Sequence, residues 1–188
     1  MLVAHFAGLD FDAGARIAVP LCGKSLDLHW FLSQGYEVVG MELVESAIVS
    51  LFEELGAEPT ITPVGDLKRY SAKGIDVLVG DIFNVNAADL GTVDAVYDRA
   101  ALVALPEDMR RAYASHLLQI TKTAPQLLVS FEYDQTQMPG PPFSVSTDEI
   151  AALYADQYDI EEVDRVAVEG KLKGVVEADE VAWRLYAR

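Results

Sequence analysis

The sequence predicts an α/β protein: a mostly parallel sheet covered by helices on both faces. Three observations predict it. Short apolar runs alternate with helical stretches along the chain. The runs are too apolar to leave a wet face, as expected of strands buried on both sides. At 188 residues, with 51% hydrophobic and 23% charged side chains, the chain suits one core and is too apolar for disorder.

The elements follow in order. Arg16–Pro20 is a short apolar strand. Ser25–Gln34 reads as a helix with Leu26, Trp30 and Phe31 on one face, stopped by Gly35. Glu37–Glu42 is a second strand, and Ser46–Leu55 a second helix ended by Gly56. Residues 58–75 break the rhythm and look like an excursion, a small hairpin ahead of the strand Ile75–Val79. Ala95–Tyr97 is the next buried strand. Pro106–Ile120 is a helix with Pro in its first turn and acids Glu107 and Asp108 beside it. Its apolar stripe runs through Met109, Ala112, Tyr113, His116, Leu117 and Ile120. Gln126–Tyr133 is a strand, and Ser146 with Glu149 forms a capping box for a helix through Ala155. Tyr158–Val168 and Glu180–Tyr186 are late strands expected to pair antiparallel at one edge. No repeat or linker divides the chain, so 1–188 reads as a single domain.

Charge narrows the function. Thirty acids against 14 bases give a net charge of −16, which repels phosphate backbones and anionic lipids. Nucleic-acid and membrane partners are therefore set aside. One cysteine permits no internal disulfide, and the three scattered histidines have no metal-type spacing. Met1–Asp12 does not read as a signal peptide, and no run of ~18 apolar residues is present. The expected location is the cytoplasm, and the expected state a monomer.

In open α/β sheets the ligand lies beyond the carboxyl ends of the strands. After the first strand comes Leu21-Cys22-Gly23-Lys24-Ser25, where Gly23 lets backbone approach a ligand closely. The turn is neither GxGxxG nor a P-loop, and an ordinary strand–helix turn is the alternative. Glu42 ends the second strand, 19 residues beyond Gly23. An acid there reads as a ribose-hydroxyl acceptor, or else as a solvated strand end. In Gly80-Asp81-Ile82-Phe83, Asp81 can take an exocyclic amine while Ile82 walls an adenine ring; the alternative is a capping Asp. Tyr97-Asp98-Arg99 puts a charged pair at the end of a central strand, costly to bury unless paired or functional. Cys22 reads as a small buried thiol and Lys24 as a surface lysine. The stiff loop Tyr133–Phe143 offers Met138 and Phe143 as walls of an apolar pocket.

Taken together, these segments resemble the thiopurine S-methyltransferase family, especially its bacterial members. The matching stretches are VPLCGKSLDLHWFLSQGYEVVGMEL (19–43), GDIF (80–83), VYDRAALVALPEDMRRAYASHL (96–117) and EYDQTQMPGPPFSVSTDEI (132–150). The resemblance implies a class I methyltransferase fold: a Rossmann-like, seven-stranded, mostly parallel sheet with helices on both faces and the last strand antiparallel. It implies S-adenosylmethionine as cofactor. It also implies methyl transfer to the sulfur of a thiol such as a thiopurine, or to selenium or tellurium compounds. By the same resemblance Leu21 matches a backbone contact to the cofactor, Glu42 the ribose acid, Asp81 and Ile82 the adenine side. Arg99 matches an arginine at the cofactor and substrate end. Arg99 is the candidate to stabilise the acceptor anion, with Asp98 orienting it.

The N-terminal lid that most members carry is expected to be short or missing. Only 15 residues precede the first strand, with Phe6 the nearest aromatic to a lid and no Trp among them. Lys171 and Lys173 are the candidates for a basic residue in the late loop. The competing readings are an O- or N-methyltransferase, which needs a stronger base, and a cofactor-binding protein without turnover.

Overall fold

A computed structural model describes residues 1–188. In chain order the strands are β1 (Arg16–Pro20), β2 (Glu37–Glu42), β3 (Thr60–Val64), β4 (Leu67–Ala72), β5 (Ile75–Val79), β6 (Ala95–Arg99), β7 (Gln126–Glu132), β8 (Tyr158–Ala167) and β9 (Asp179–Ala187). The helices are α1 (Leu2–His5), α2 (Leu26–Ser33), α3 (Glu45–Leu55), α4 (Ala87–Leu90), α5 (Glu107–Thr121) and α6 (Thr147–Tyr154). The chain folds as two compact units: Phe11–Tyr97 with Gln119–Lys122, and Met1–Asp10 with Asp98–Leu118 and Thr123–Arg188.

In the first unit the strands lie in the order β3-β4-β5-β2-β1-β6. β1 runs parallel to β2, and β2 parallel to β5. Residues 17–20, 38–41 and 77–79 are apolar because both faces are covered: Ile17, Ala18, Val38, Val39, Val77 and Leu78 are all buried. The register sets Pro20 opposite Met41 and Glu42 opposite Val79. The turns after β1, β2 and β5 therefore emerge at one edge. β3 and β4 form an antiparallel hairpin, and β4 is antiparallel to β5. This is the excursion expected within 58–75, and it brings the sheet to nine strands instead of the seven expected.

In the second unit the order is β7-β9-β8, with β9 antiparallel to both neighbours. The last strand is thus antiparallel, as expected. α6 starts at Ser146, whose hydroxyl accepts the Glu149 N–H at 3.2 Å. The Glu149 side chain does not close the capping box. It forms a two-pronged pair with Arg110 on α5, at 2.5 and 2.9 Å. The short α1 is tied to late strands by His5 to Asp164 (2.8 Å) and by Arg184 to the His5 carbonyl.

Two helix faces differ from the sequence reading. On α2, Leu26 is 76% exposed while Leu28 and Phe31 are fully buried. On α5, Met109 and Ala112 face outward, and the buried stripe is Arg110, Tyr113, Ala114, Leu117 and Ile120. Arg110 is buried because Glu149 and the Leu105 carbonyl take its donors. A hydrophobicity pattern does not register such a residue.

Candidate active site

The turn after β1 opens with Leu21, whose φ of 46° is left-handed. A side chain there costs about 1–2 kcal/mol, so the fold must hold the conformation. Part of that hold is Glu42. Its Oε2 accepts the Gly23 N–H and its Oε1 the Val44 N–H, both at 2.8 Å. Each oxygen keeps a lone pair for a further donor. Gly23 itself has φ 51°, and a Cβ built there meets no heavy atom within 4 Å. Backbone and open space coincide at this point.

Beside this turn, the Gly80 N–H donates to the Glu42 carbonyl at 2.8 Å. Asp81 follows, exposed, its Oδ1 capping the turn Ile82–Asn84 by accepting from Phe83 N–H. Asp81 is thus a capping residue, the bland alternative, and still presents a carboxylate at the edge. Ile82 is buried at 9% exposure. The residue that the sequence reading missed is Leu43. It follows Glu42 and is 69% exposed beside Val44 at 52%, so two adjacent apolar side chains meet water at the strand end.

Cys22 is buried, and burial with the nearby Glu42 charge pushes its thiol well up. Its sulfur fills the space where Gly40 lacks a side chain; a Cβ on Gly40 falls 2.7 Å from it. Lys24 is exposed and paired with Glu54 at 2.8 Å.

The second unit carries the remaining candidates. Asp98 is fully buried like the three residues before it, and Arg99 is exposed because β6 ends there. The structure satisfies Asp98 with groups other than Arg99. Tyr113 donates its hydroxyl to Oδ2 at 2.6 Å, and the Leu102 N–H donates to Oδ1 at 3.1 Å. Burial raises the Asp98 carboxyl to about 6, against the opposing pull of these bonds and of the Ala101 N–H. Asp98 therefore holds the turn behind Arg99 rather than the guanidinium.

Phe143 and Met138 part company. Phe143 lines a cleft of about 780 Å³ with Pro106, Pro139, Arg110, Arg111 and Ser144, a size that suits small molecules. Met138 is buried instead with Leu172, Val176 and Ala178. The loop between them is stiff, as its prolines predict. Phe143 N–H donates to the Val103 carbonyl (2.6 Å), Tyr133 hydroxyl to the Pro142 carbonyl (2.7 Å), and Ser144 N–H to Gln135 (2.8 Å). Lys173 donates to the Pro141 carbonyl at 2.7 Å, whereas Lys171 lies near Glu177. Phe6 is buried and offers no lid surface.

The profile of one protein family, thiopurine S-methyltransferase, matches residues 1–187. The chain belongs to this family. A thiopurine S-methyltransferase of Xanthobacter autotrophicus is 52% identical over 98% of this chain and 86% of its own length. That of Teredinibacter turnerae is also 52% identical, over the same shares. Among solved structures, a SAM-dependent methyltransferase of Methanosarcina mazei superposes with a TM-score of 0.71 over 97% of each chain, at 14% identity, and so supports the fold. As a family member the chain is an S-adenosylmethionine-dependent S-methyltransferase acting on a small molecule. The Leu21–Gly23 turn, the held carboxylate of Glu42 and the exposed Asp81 fit such a cofactor: open backbone, two acids and an apolar Leu43 at one edge.

Proposed function

We propose that this thiopurine S-methyltransferase family member methylates the sulfur, or the selenium or tellurium, of a small soft nucleophile. Residues 1–188 act in it as one methyltransferase domain. The observation that carries the site assignment is Glu42, its carboxylate fixed by the amides of Gly23 and Val44. Glu42 would accept the ribose hydroxyls, Asp81 the adenine amine, and Ile82 and the Leu21 backbone would complete the cofactor side.

When bound, S-adenosylmethionine supplies a methyl group activated by its sulfonium. The protein's share is to bind, align and exclude water. Phe143 and the cleft beside it hold the acceptor. Arg99 steadies the acceptor as a thiolate, the nucleophilic form. In a chain of net charge −16, an anionic acceptor is repelled overall, so a local guanidinium matters. A thiol already ionised at neutral pH needs no general base. The net charge of −16 argues against a nucleic-acid partner, and a cytoplasmic monomer belongs to the same reading.

The test offers the protein S-adenosylmethionine with an aromatic thiol, the matching phenol and the matching amine. Methylation of the thiol alone is expected. Arg99→Lys keeps a charge but loses the planar fork; it should stay folded and lose at least about tenfold in turnover. Comparable methylation of phenol or amine overturns the sulfur reading. Cofactor binding with no methylated acceptor makes the chain a binding protein.

A further inference from the structure

We infer that Tyr113 and Asp98 form a buried clamp that sets the turn Arg99–Leu102, which makes Tyr113 a positioning residue for methyl transfer. The inference rests on the assignment of Arg99 to the acceptor side made above.

The chain must leave β6 abruptly. Ala100 takes a left-handed φ of 62°, unfavourable for any residue with a Cβ. What holds it there is Asp98, which accepts the Leu102 N–H at 3.1 Å and lies close enough to the Ala101 amide to be favoured in its charged form. Bonds from amides to an ionised carboxylate are about twice as strong as neutral ones. The strength of the turn therefore follows the charge of Asp98.

That charge is expensive in this position. Asp98 shows no exposure, and Tyr113, from α5, shows none either. Tyr113 and Tyr154, the latter from α6, are the titratable side chains that act on it from the packed helices. Burial pushes both phenols well above their usual range, so each is a neutral hydroxyl at any working pH. Tyr113 is thus always the donor, at 2.6 Å, while Asp98 is ionised. It is the side-chain group that keeps a buried carboxylate charged. Tyr154, by contrast, has a buried hydroxyl with no partner. Its hydroxyl takes no part in the clamp. When Asp98 takes up a proton, its oxygens become weaker acceptors and the turn carrying Arg99 loosens.

The experiment compares the wild type with Tyr113→Phe, which deletes one hydroxyl and keeps the ring, and with Asp98→Asn, which keeps an acceptor but cannot titrate. Two readouts are followed against pH. One is the backbone amide resonances of Ala101 and Leu102. The other is kcat/KM with an aromatic thiol acidic enough to be ionised across the whole range. In the wild type both should titrate together with a midpoint near 6. In Tyr113→Phe both midpoints should rise by about one unit or more. Turnover at neutral pH should then fall several-fold and recover well above neutral, with S-adenosylhomocysteine affinity unchanged. In Asp98→Asn both traces should be flat. A merely structural tyrosine would lower activity equally at every pH, and that result overturns the inference. So do amide midpoints that stay put in Tyr113→Phe, or amides that move while the activity profile does not. If Tyr113→Phe fails to fold, a flat Asp98→Asn trace supports the clamp and a titrating one refutes it. A wild type that methylates no thiol removes the functional reading alone, because the amide titration still tests the clamp.

Discussion

Two turns of this molecule use one device in two environments. After β1, Leu21 takes a left-handed φ of 46°, and the N–H two residues on, at Gly23, donates to the Glu42 carboxylate. After β6, Ala100 takes a φ of 62°, and the N–H two residues on, at Leu102, donates to the Asp98 carboxylate. In each, a strained residue at a strand end is held by an acid on a strand. The difference is water. Glu42 is half-buried and takes its second amide from Val44, so it stays available to a ligand. Asp98 is sealed in, and its second oxygen is spent on Tyr113. The first acid can serve both the turn and a ligand, whereas the second can serve only the turn. Burial, more than residue type or position on the strand, divides an acid open to a ligand from one closed to it.

The sharpest way to break the comparison is to remove the buried charge. Asp98 has a folded-state value of about 6, raised from 3.8 by burial. The folded protein holds this proton more tightly than the unfolded chain does. The contribution to stability is therefore full below about 3.8 and is lost as pH rises through about 6. At neutral pH the ionised group costs about 3 kcal/mol on that shift. Asp98→Asn escapes this cost, so it should be at least as stable as the wild type at neutral pH. Its advantage should shrink as pH falls from 6 towards 4. Urea unfolding of both proteins across that range measures it. An Asn variant weaker by the same amount at every pH would mean that the charge is not disfavoured, and the contrast with Glu42 would disappear.

Part of this was legible in the sequence and part was not, for physical reasons. Strands buried on both faces announce themselves by apolar runs, and β1, β2 and β5 fall where their residues predict. The spacing of Gly23 and Glu42 also pointed to two groups that the fold joins, the Gly23 N–H donating to the Glu42 carboxylate. β3 is exposed along nearly its whole length, so it has no apolar pattern to read beyond a break in rhythm. The face of α5 was misread because Arg110 is buried by pairing with Glu149, 39 residues away. The fate of Asp98 was hidden in the same way. In sequence its neighbour is Arg99, but in space its partner is Tyr113, 15 residues on. Partners that matter across such separations are chosen by packing, and one sequence does not record that choice.

A middle-sized effect is expected at the half-buried acid. Glu42→Ala removes the charged acceptor proposed for the ribose and frees the amides of Gly23 and Val44 at once. Calorimetry should show S-adenosylhomocysteine bound about 1–3 kcal/mol more weakly. The freed amides are reachable by water, so global stability should change far less than affinity does. If stability drops with affinity, Glu42 belongs with Asp98 as a turn clamp. Unchanged affinity removes it from the cofactor site.

The smallest effect separates the loop from both acids. Lys173 reaches the Pro141 carbonyl at 2.7 Å from an exposed position. It adds an exposed tie to a loop already bonded to Val103 and cross-bonded by Tyr133 and Gln135. An exposed bond of this kind is worth about 1 kcal/mol or less. Lys173→Ala should therefore leave unfolding midpoints and cofactor affinity where they are. Its effect should fall on the acceptor alone, because Phe143, two residues beyond Pro141, lines the cleft. A rise of up to about fivefold in the KM for the thiol, with kcat held, is the expected result. Steady-state kinetics with varied thiol at saturating cofactor decides it. A fall in kcat with KM unchanged would mean that the loop acts on alignment rather than on binding. The loop would then belong with the Asp98 turn among the parts that position the reaction.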